Sequence, residues 1–348
     1  MKIDNKNKSL YYSFLVVHLF KTKILLHQNL FYLDIKDYQT FGGETVSINL
    51  SYEVFGPVIG DAPVVMVNHA LTGNSHITGE NGWWSDLIGP EKVIDTYKYT
   101  VICFNIPGNG YDGRPENLFE NHKIFTAKDI ARIFLLGLEQ LGIKKLYALV
   151  GGSLGGGIAW ELAVQKPQLA KHLVVIATDW KATDWVIANR KVQEAILLNS
   201  SKPLHDARMH AMIMYRTPDS FALKFNRSKN EALGIFNIES WLLHHGNKLE
   251  ERFELAAYKQ LNYIISSIDA SSMHSNFKEA AYGITADILL VSIDSDALYT
   301  LKESQQTLKQ LKEINQNVTH QIIRSIHGHD AFLIEFDQLG SFVYDIFN

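Results

Sequence analysis

A glycine-rich turn constrains the fold of this chain more than any other feature of its sequence. Residues 146–150 form a short apolar run typical of a buried strand, and Gly151-Gly152-Ser153-Leu154-Gly155 follows it and opens a helical pattern. Glycines two residues before and two after Ser153 let the strand and the helix approach closely, so the serine hydroxyl projects from a strained turn. This Gly-x-Ser-x-Gly pattern between a strand and a helix predicts a nucleophilic serine.

Short runs rich in β-branched residues recur along the chain and predict buried parallel strands. They occupy residues 64–67, 99–104, 146–150, 173–177, 288–293 and 320–323. Residues 46–54 alternate in hydrophobicity and predict an antiparallel hairpin before the breaks at Gly56-Pro57 and Gly60-Asp61. Helical patterns lie between the runs, and the clearest covers residues 126–141, with a capping box of Thr126 and Asp129. Together with the serine turn, this alternation predicts an α/β-hydrolase fold, with a mostly parallel central sheet flanked by helices.

The alternation stops over residues 179–276, which contain no strand run and read as several helices, including residues 189–198 and 249–268. We expect this segment to be an inserted helical cap over the carboxyl ends of the strands, where it shapes the acceptor pocket. Residues 31–178 and 277–348 then form the core. Residues 10–20 form an apolar run that loosely resembles a signal peptide, but the run is shorter than a membrane span and no small-residue cleavage site follows it. We therefore expect residues 1–30 to be an apolar leader outside the fold.

The composition excludes several classes of function. The 348 residues are 46% apolar and 20% charged, which is typical of a globular protein. A formal net charge of −4 gives no basic field for nucleic acid or an anionic membrane, so small neutral or zwitterionic substrates are favoured. The single cysteine, Cys103, lies in an apolar run and cannot form an internal disulfide, which favours a cytoplasmic protein.

A serine nucleophile needs an imidazole to accept its proton and a carboxylate to orient that imidazole. In this fold the three residues follow the order serine, carboxylate, histidine. Asp294 and Asp296 follow the strand run 288–293, and His327 and His329 lie in a later glycine-containing loop. Spacing alone leaves both pairs open. A neutral histidine base predicts that the rate falls in acid, with an apparent pKa of roughly 6 to 7.

The oxyanion of an acyl-transfer reaction needs backbone donors, which we expect to be the amides of Leu154 and Leu71. His69 lies near Leu71 but has no second ligand at metal-binding spacing, so a positioning role is favoured and no metal site is predicted. The chain has neither Gly-x-Gly-x-x-Gly nor Gly-Lys-Ser/Thr at the serine turn, which argues against nucleotide binding there.

Several motifs, in order from about Asn49 to the C-terminus, resemble the homoserine O-acetyltransferase family. They are Asn68-His69-Ala70-Leu71-Thr72-Gly73, Gly82-Trp83-Trp84 with Leu87-Ile88-Gly89-Pro90, Gly151-Gly152-Ser153-Leu154-Gly155-Gly156, Glu239-Ser240-Trp241-Leu242, and Gly328-His329-Asp330-Ala331-Phe332-Leu333. By resemblance, His329 rather than His327 and Asp296 rather than Asp294 complete the triad with Ser153.

The resemblance also implies the reaction and the assembly. Acetyl-CoA, a co-substrate rather than a bound cofactor, would acylate Ser153, and the hydroxyl of homoserine would then take the acetyl group. The family implies a homodimer formed through the cap and no metal. Asp330 resembles a residue near the substrate amino group, although a carboxylate favoured by a helix N-terminus is an equal alternative.

The chain departs from the family at two places. Residues 105–110 keep only Asn105 and one glycine of the family's Asn-x-Leu-Gly-Gly-Cys segment, and Glu194 stands where an arginine for the acceptor carboxylate is expected. Arg190, one helical turn earlier, is an alternative ligand or a solvated surface residue. These departures keep open a serine hydrolase of the same fold. Succinyl-CoA as donor and serine as acceptor also stay open, because each choice depends on a few pocket contacts. Intact Ser153, Asp296 and His329 argue against the remaining alternative, a binding protein on a hydrolase fold that has lost its activity.

Overall fold

The structure is a computed structural model that describes residues 30–348. The predicted leader, residues 1–30, therefore lies outside the described residues except for Leu30. An eight-stranded sheet forms the centre, in the order β1-β2-β4-β3-β5-β6-β7-β8. The strands are β1 (Phe31–Gln39), β2 (Thr45–Phe55), β3 (Val64–Asn68), β4 (Thr100–Phe104), β5 (Leu146–Gly152), β6 (Ala170–Ile176), β7 (Asp287–Ile293) and β8 (Val318–Ile323). β2 pairs antiparallel with β1 and β4, and the other pairings are parallel.

Helices cover the sheet and form the cap. Those of the core are α1 (Ala127–Gln140), α2 (Leu154–Gln165), α8 (Phe277–Ala281), α9 (Leu301–Glu313) and α10 (Phe336–Phe347). Those of the cap are α3 (Asp184–Asn199), α4 (Pro203–Tyr215), α5 (Pro218–Phe225), α6 (Asn237–Arg252) and α7 (Leu255–Ser266). Smaller elements are the strand pairs Ile88–Gly89 with Ile94–Asp95 and Lys229–Asn230 with Ile235–Phe236, and the 3-10 turns Pro115–Asn117 and Gly328–Leu333. No helix among residues 30–348 is both long and apolar enough to cross a membrane.

The sheet separates two hydrophobic clusters because successive side chains of a strand point to opposite faces. In β3, whose five residues are all buried, Met66 packs in one cluster and Val67 in the other. The first cluster contains Phe134 of α1, and the second contains Val343 of α10. Both faces of the central parallel strands are therefore covered, as the continuous apolar runs predicted. The run 320–323 was also predicted to be buried, but it lies in β8, an edge strand whose Thr319 and Gln321 are exposed.

The predicted helix at residues 126–141 is confirmed by α1 and its caps. The Thr126 side chain accepts a hydrogen bond from the Asp129 amide, and the Asp129 carboxylate accepts one from the Thr126 amide at 2.8 Å. Gly142 follows the helix at a φ of +71°, a conformation that glycine adopts without steric cost.

Other sequence predictions differ from the structure in part. The antiparallel hairpin predicted from residues 46–54 is present, but its other strand, β1, precedes β2 and was not predicted. The single helix at residues 249–268 is wrong, because Phe253 and Glu254 are extended and separate α6 from α7. The segment 179–276 also contains the short strands Lys229–Asn230 and Ile235–Phe236, where no strand was expected.

The cap is inserted between β6 and β7, which are neighbours in the sheet. Its incoming and outgoing chains run antiparallel at its base. There, the Ala182 amide donates to the Ile268 carbonyl at 2.8 Å, and the Ala270 amide donates to the Trp180 carbonyl at 3.0 Å. The cap thus rises from the carboxyl edge of the sheet on a pair of hydrogen-bonded chains.

Candidate active site

Ser153 lies in a strained turn between β5 and α2. Its φ of 54° and ψ of −125° are sparsely populated for a residue with a side chain. A Cβ atom on Gly151 would lie 2.3 Å from the Gly155 carbonyl oxygen, and one on Gly155 would lie 2.2 Å from the Asn68 carbonyl oxygen. Only glycine fits at these two positions, so the turn has the close approach that the sequence predicted.

Three side chains from different loops form a continuous hydrogen-bonded relay. The Ser153 Oγ lies 2.9 Å from Nε2 of His329, and Nδ1 of His329 lies 2.7 Å from Oδ2 of Asp296. The other oxygen of Asp296 accepts the amides of Leu298 at 2.7 Å and Tyr299 at 3.0 Å. A carboxylate only accepts, so Nδ1 of His329 carries the proton and Nε2 is free to accept the serine proton.

The alternatives that spacing had left open have other partners. Asp294 accepts the Ser325 amide at 3.1 Å, and Nδ1 of His327 lies 3.1 Å from the Ser220 hydroxyl. The structure therefore brings Asp296 and His329, rather than Asp294 and His327, to Ser153.

The imidazole of His329 is buried among aromatic rings. The ring centroids of Tyr215, Tyr299 and Phe332 lie 5.5, 5.8 and 5.6 Å from its own. Burial lowers the pKa of His329, but the charge and hydrogen bond of Asp296, with the charge of Asp330, outweigh burial and raise it above the usual 6.5. The site thus stabilises the protonated imidazole that acyl transfer generates transiently.

The predicted oxyanion donors belong to two segments that are in direct contact. Leu154 is the first residue of α2, so its amide is among the helical donors without an intrahelical acceptor. Leu71 follows β3, and the Asn68 side chain ties this segment to α2 by donating to the Gly155 carbonyl at 3.2 Å.

His69 is buried within the oxyanion segment, which we define as residues 68–73, and the two nitrogens of its ring have fixed roles. Its Nε2 accepts the Ile106 amide at 3.0 Å, so its Nδ1 carries the proton and donates to the Ala70 carbonyl at 2.8 Å. Burial lowers the pKa of His69 to about 4, against a smaller opposite effect of the Ala70 hydrogen bond. His69 is therefore neutral near pH 7 and links the oxyanion segment to the segment after β4. Within residues 30–348, no group of three or more potential ligands is placed to hold a metal ion.

The cap makes direct contacts with the histidine loop, which we define as residues 326–330. The Thr217 hydroxyl donates to the Ile326 carbonyl, and the Ser220 hydroxyl meets His327. Arg216 lies 3.7 Å from the Asp330 carboxylate. Sequence reasoning missed these contacts, which join residues about a hundred positions apart in the chain.

The two charged residues that the sequence predicted for acceptor binding, Arg190 and Asp330, lie in different places, and Arg208 is a further cation that sequence reasoning missed. Arg190 is held by Glu194 in a bidentate pair at 3.1 and 3.2 Å, and both side chains are largely buried. Arg208 is half-buried and lies 5.9 Å from the ring of Tyr215. Burial raises the pKa of Asp330. The charges of His329, Arg208 and Arg216 lower this pKa by a smaller amount, so it stays above the usual value. Asp330 is therefore next to His329 and lies within the charge influence of Arg208 and Arg216, whereas the guanidinium of Arg190 is already bound to Glu194.

A relay of serine, histidine and aspartate at the carboxyl edge of this sheet defines a serine enzyme of the α/β-hydrolase class. In agreement, the profile of the family described as alpha/beta hydrolase fold matches residues 63–333. The homoserine O-acetyltransferase of Deferribacter desulfuricans is 30% identical over an alignment of 361 positions that covers 92% of this chain and 93% of that protein. The chain belongs to the homoserine O-acetyltransferase family, a family of acyltransferase enzymes.

Solved structures agree with the fold. The crystal structure of homoserine O-acetyltransferase from Bacillus anthracis superimposes with a TM-score of 0.83 at 22% identity, over 92% of this chain and 97% of that one. Esterase E22 superimposes with a TM-score of 0.81 at 18% identity, over 92% and 99% of the two chains. At these identities the comparison establishes the fold alone.

Proposed function

We propose that this protein transfers the acetyl group of acetyl-CoA to the hydroxyl of L-homoserine through an acetyl-Ser153 intermediate, a step of methionine biosynthesis. The proposal is supported mainly by the complete hydrogen-bonded relay of Ser153, His329 and Asp296, which is buried beneath the cap in a chain that belongs to this family. No metal takes part in the proposed reaction.

In the first half-reaction, the Ser153 oxygen attacks the thioester carbonyl while Nε2 of His329 takes the hydroxyl proton. The amides of Leu71 and Leu154 stabilise the oxyanion. The carbon–sulfur bond then breaks, and His329 returns its proton to the leaving sulfur, so CoA departs as the thiol.

In the second half-reaction, the hydroxyl of homoserine enters the position that the thiol has left. His329 takes the proton of the homoserine hydroxyl, and the homoserine oxygen attacks the acetyl carbonyl. The bond between the acetyl carbon and the Ser153 oxygen then breaks. The proton returns to Ser153, and O-acetylhomoserine leaves. Asp296 stabilises the imidazolium in both halves and holds the tautomer that keeps Nε2 free.

The acceptor is an amino acid, so its pocket must receive both an ammonium and a carboxylate. Asp330 is next to His329 and lies 3.7 Å from Arg216, and Arg208 is a half-buried cation that lowers the pKa of Asp330 and lies 5.9 Å from the ring of Tyr215. We assign the ammonium to Asp330 and the carboxylate to Arg208. Arg190 is a weaker candidate for the carboxylate because Glu194 already occupies its guanidinium.

Hydrolysis of an ester or thioester is the second candidate. It is favoured by one observation, the Arg190–Glu194 pair, in which the guanidinium that could bind an amino-acid carboxylate already binds Glu194. Water would then replace homoserine in the second half-reaction with the same relay.

The test is CoA thiol release from acetyl-CoA by the wild type and by Ser153→Ala, with and without L-homoserine. Release that needs both Ser153 and homoserine supports the transferase. Release that needs Ser153 and is indifferent to every amino acid supports the hydrolase. If a fluorophosphonate probe leaves Ser153 unlabelled, neither reaction is tenable and the fold serves binding.

We also propose a homodimer formed through the cap, in the cytoplasm. The cap exposes large apolar side chains, which mark interaction surfaces when they cluster. They include Trp185, Val192, Leu198, Ile213 and Leu223. Sedimentation equilibrium should give a dimer of the 39.4 kDa chain, and a monomer at micromolar concentration would contradict the proposal.

A further inference from the structure

A cavity of about 520 Å³ lies between α1, α2 and the chain that leaves the cap. Part of its lining is apolar and includes Leu135 of α1, Val164 of α2 and Met273. Among the described residues that line it, none belongs to the catalytic relay, the oxyanion segment or the proposed acceptor site. Small-molecule sites typically have volumes of about 300 to 1,000 Å³, so this second cavity is large enough for a ligand.

The carboxylate of Glu161, on α2, lines this cavity from a buried position. Glu161 is 2% exposed, and its Oε1 accepts the Asp269 amide at 3.0 Å. Its Oε2 has no hydrogen-bond partner, and the carboxylate has no ion pair, among residues 30–348. A buried carboxylate is unfavourable unless hydrogen bonds or an opposite charge compensate for the lost water. Glu161 is therefore suited to a cationic group of a ligand.

The electrostatics of Glu161 agree with an unpaired carboxylate. Burial is the main cause that raises its pKa to about 7, and the charges of Asp269 and Asp129 contribute to the rise. The hydrogen bond from the Asp269 amide and the charge of Lys128 oppose it. Glu161 is thus only partly ionised near pH 7, and an ammonium group beside it would favour the ionised form.

Two cations of α1 line the same cavity. Lys128 and Arg132 are four positions apart in the helix, so their side chains lie on one face. The Lys128 ammonium lies 4.3 Å from the centroid of the Phe41 ring and 3.3 Å from the Ser272 hydroxyl. The Arg132 guanidinium lies 5.6 Å from the centroid of the same ring. In the part of the chain that the structure describes, neither cation has an ion pair, so both can receive an anionic group.

The arrangement of charges disfavours a ligand that has only one charge. A simple amine would be repelled by the two cations of α1, and a simple acid would be repelled by Glu161 when it is ionised. The exposed residues Glu139, Lys166 and His274 complete the charged lining. A zwitterion can satisfy the buried carboxylate and the cations of α1 together.

We propose that this cavity binds a small α-amino acid with an apolar side chain. The ammonium group of the ligand binds Glu161, and its carboxylate binds Lys128 and Arg132. Its side chain contacts the apolar part of the lining. The proposal does not rest on the proposed function, because none of these groups takes part in acyl transfer and the bound amino acid is not acetylated.

The first test compares an amino acid with analogues that each lack one charge. The full chain, without acyl-CoA, is titrated in a calorimeter with L-leucine, with isoamylamine and with isocaproate. Isoamylamine keeps the ammonium group and isocaproate keeps the carboxylate, and both keep the side chain. L-Leucine should bind with a Kd of roughly 1 mM or below, and each analogue at least roughly tenfold more weakly. No binding of L-leucine, or equal affinity for all three, would overturn the proposal.

The second test locates the bound L-leucine. Glu161→Gln keeps an acceptor for the Asp269 amide and removes the buried charge, so the protein should remain folded, as thermal unfolding can check. Glu161→Gln and Arg132→Gln should each raise the Kd for L-leucine at least roughly tenfold. Lys309→Gln, at an exposed position on α9, is the matched control and should leave it unchanged. Arg208→Ala, which alters the proposed acceptor site, should also leave it unchanged. A loss in Arg208→Ala with none in Glu161→Gln would place L-leucine in the acceptor site and contradict the proposal.

The third test uses the pH dependence of binding. Only ionised Glu161 attracts the ammonium group, so affinity should fall about tenfold between about pH 8 and pH 6, as Glu161 becomes protonated. Protonation of His274 would add positive charge beside the ligand carboxylate and act in the opposite direction. Glu161→Gln should abolish the fall. An affinity of the wild type that is constant, or that rises in acid, would show that Glu161 does not hold the ligand.

Discussion

The ring of Tyr215, the last residue of α4 in the cap, lies 5.5 Å from the ring of His329. The backbone is equally close, because a Cβ atom on Gly328 would lie 2.8 Å from the Tyr215 carbonyl oxygen. The cap therefore contacts the catalytic base itself.

Replacing Ser153 should remove activity and relieve strain. Ser153→Ala and Ser153→Gly should each lower CoA release at least roughly a thousandfold, because no nucleophile remains. Ser153→Gly should also be more stable than Ser153→Ala, by about 1 kcal/mol, because glycine tolerates the φ of 54°. Chemical denaturation of the two inactive proteins measures the difference. Equal stability would mean that the turn stores little strain.

The rate should fall in acid, with a midpoint above the usual histidine pKa. The base must be neutral, and its pKa is raised above 6.5, so protonation begins at a higher pH than for a free imidazole. The kcat/KM for acetyl-CoA, measured from pH 5 to 9 with protein checked for folding, gives the midpoint. A midpoint below 6.5 would mean that burial outweighs the charge of Asp296.

Breaking the contacts between cap and histidine loop should lower turnover without removing any group that touches substrate. Thr217→Val deletes the hydroxyl that donates to the Ile326 carbonyl, and kcat should fall up to about tenfold with little change in KM. Thr217→Ser keeps the hydroxyl and should restore kcat. Thr319→Val, at an exposed position on β8, is the matched control. If Thr217→Ser is as slow as Thr217→Val, the hydroxyl does not restore kcat and the predicted role of this hydrogen bond is wrong.

Arginine substitutions should separate the two half-reactions. Arg208→Ala should raise the KM for homoserine by roughly tenfold or more and leave the initial burst of CoA release intact, because acylation of Ser153 precedes acceptor binding. Arg190→Ala should change the KM for homoserine much less, since Glu194 already binds Arg190. Rapid-quench measurement of the burst, followed by steady-state titration with homoserine, tests both. The reverse order of effects would assign the acceptor carboxylate to Arg190.

The parts of the site predictable from sequence are those fixed by neighbouring residues. The strained turn at Ser153 depends on glycines within two positions, and the order of serine, aspartate and histidine follows from the order of the strands. The contact of Thr217 with Ile326 spans 109 positions, and no local pattern encodes such a pair. The contacts of Tyr215 and Tyr299 with the ring of His329 were missed for the same reason.

The errors in the fold also have physical causes. β1, an edge strand, was missed for two reasons. A bulge between Ile35 and Tyr38 interrupts the alternation of apolar and polar residues, and the charged residues of β1 obscure that alternation further. The break between α6 and α7, at Phe253 and Glu254, has neither glycine nor proline to mark it. Tertiary packing rather than local preference ends α6 there.

The paired chains at the base of the cap have a consequence for how this architecture can diversify. Ala182 with Ile268, and Ala270 with Trp180, bring the two ends of the insertion side by side above adjacent strands. Everything between them can be lengthened, shortened or exchanged without changing the register of the sheet or the strand ends that carry the relay. Acceptor preference can thus evolve, or be engineered by grafting, as a separable module, provided that the new cap again supports the histidine loop.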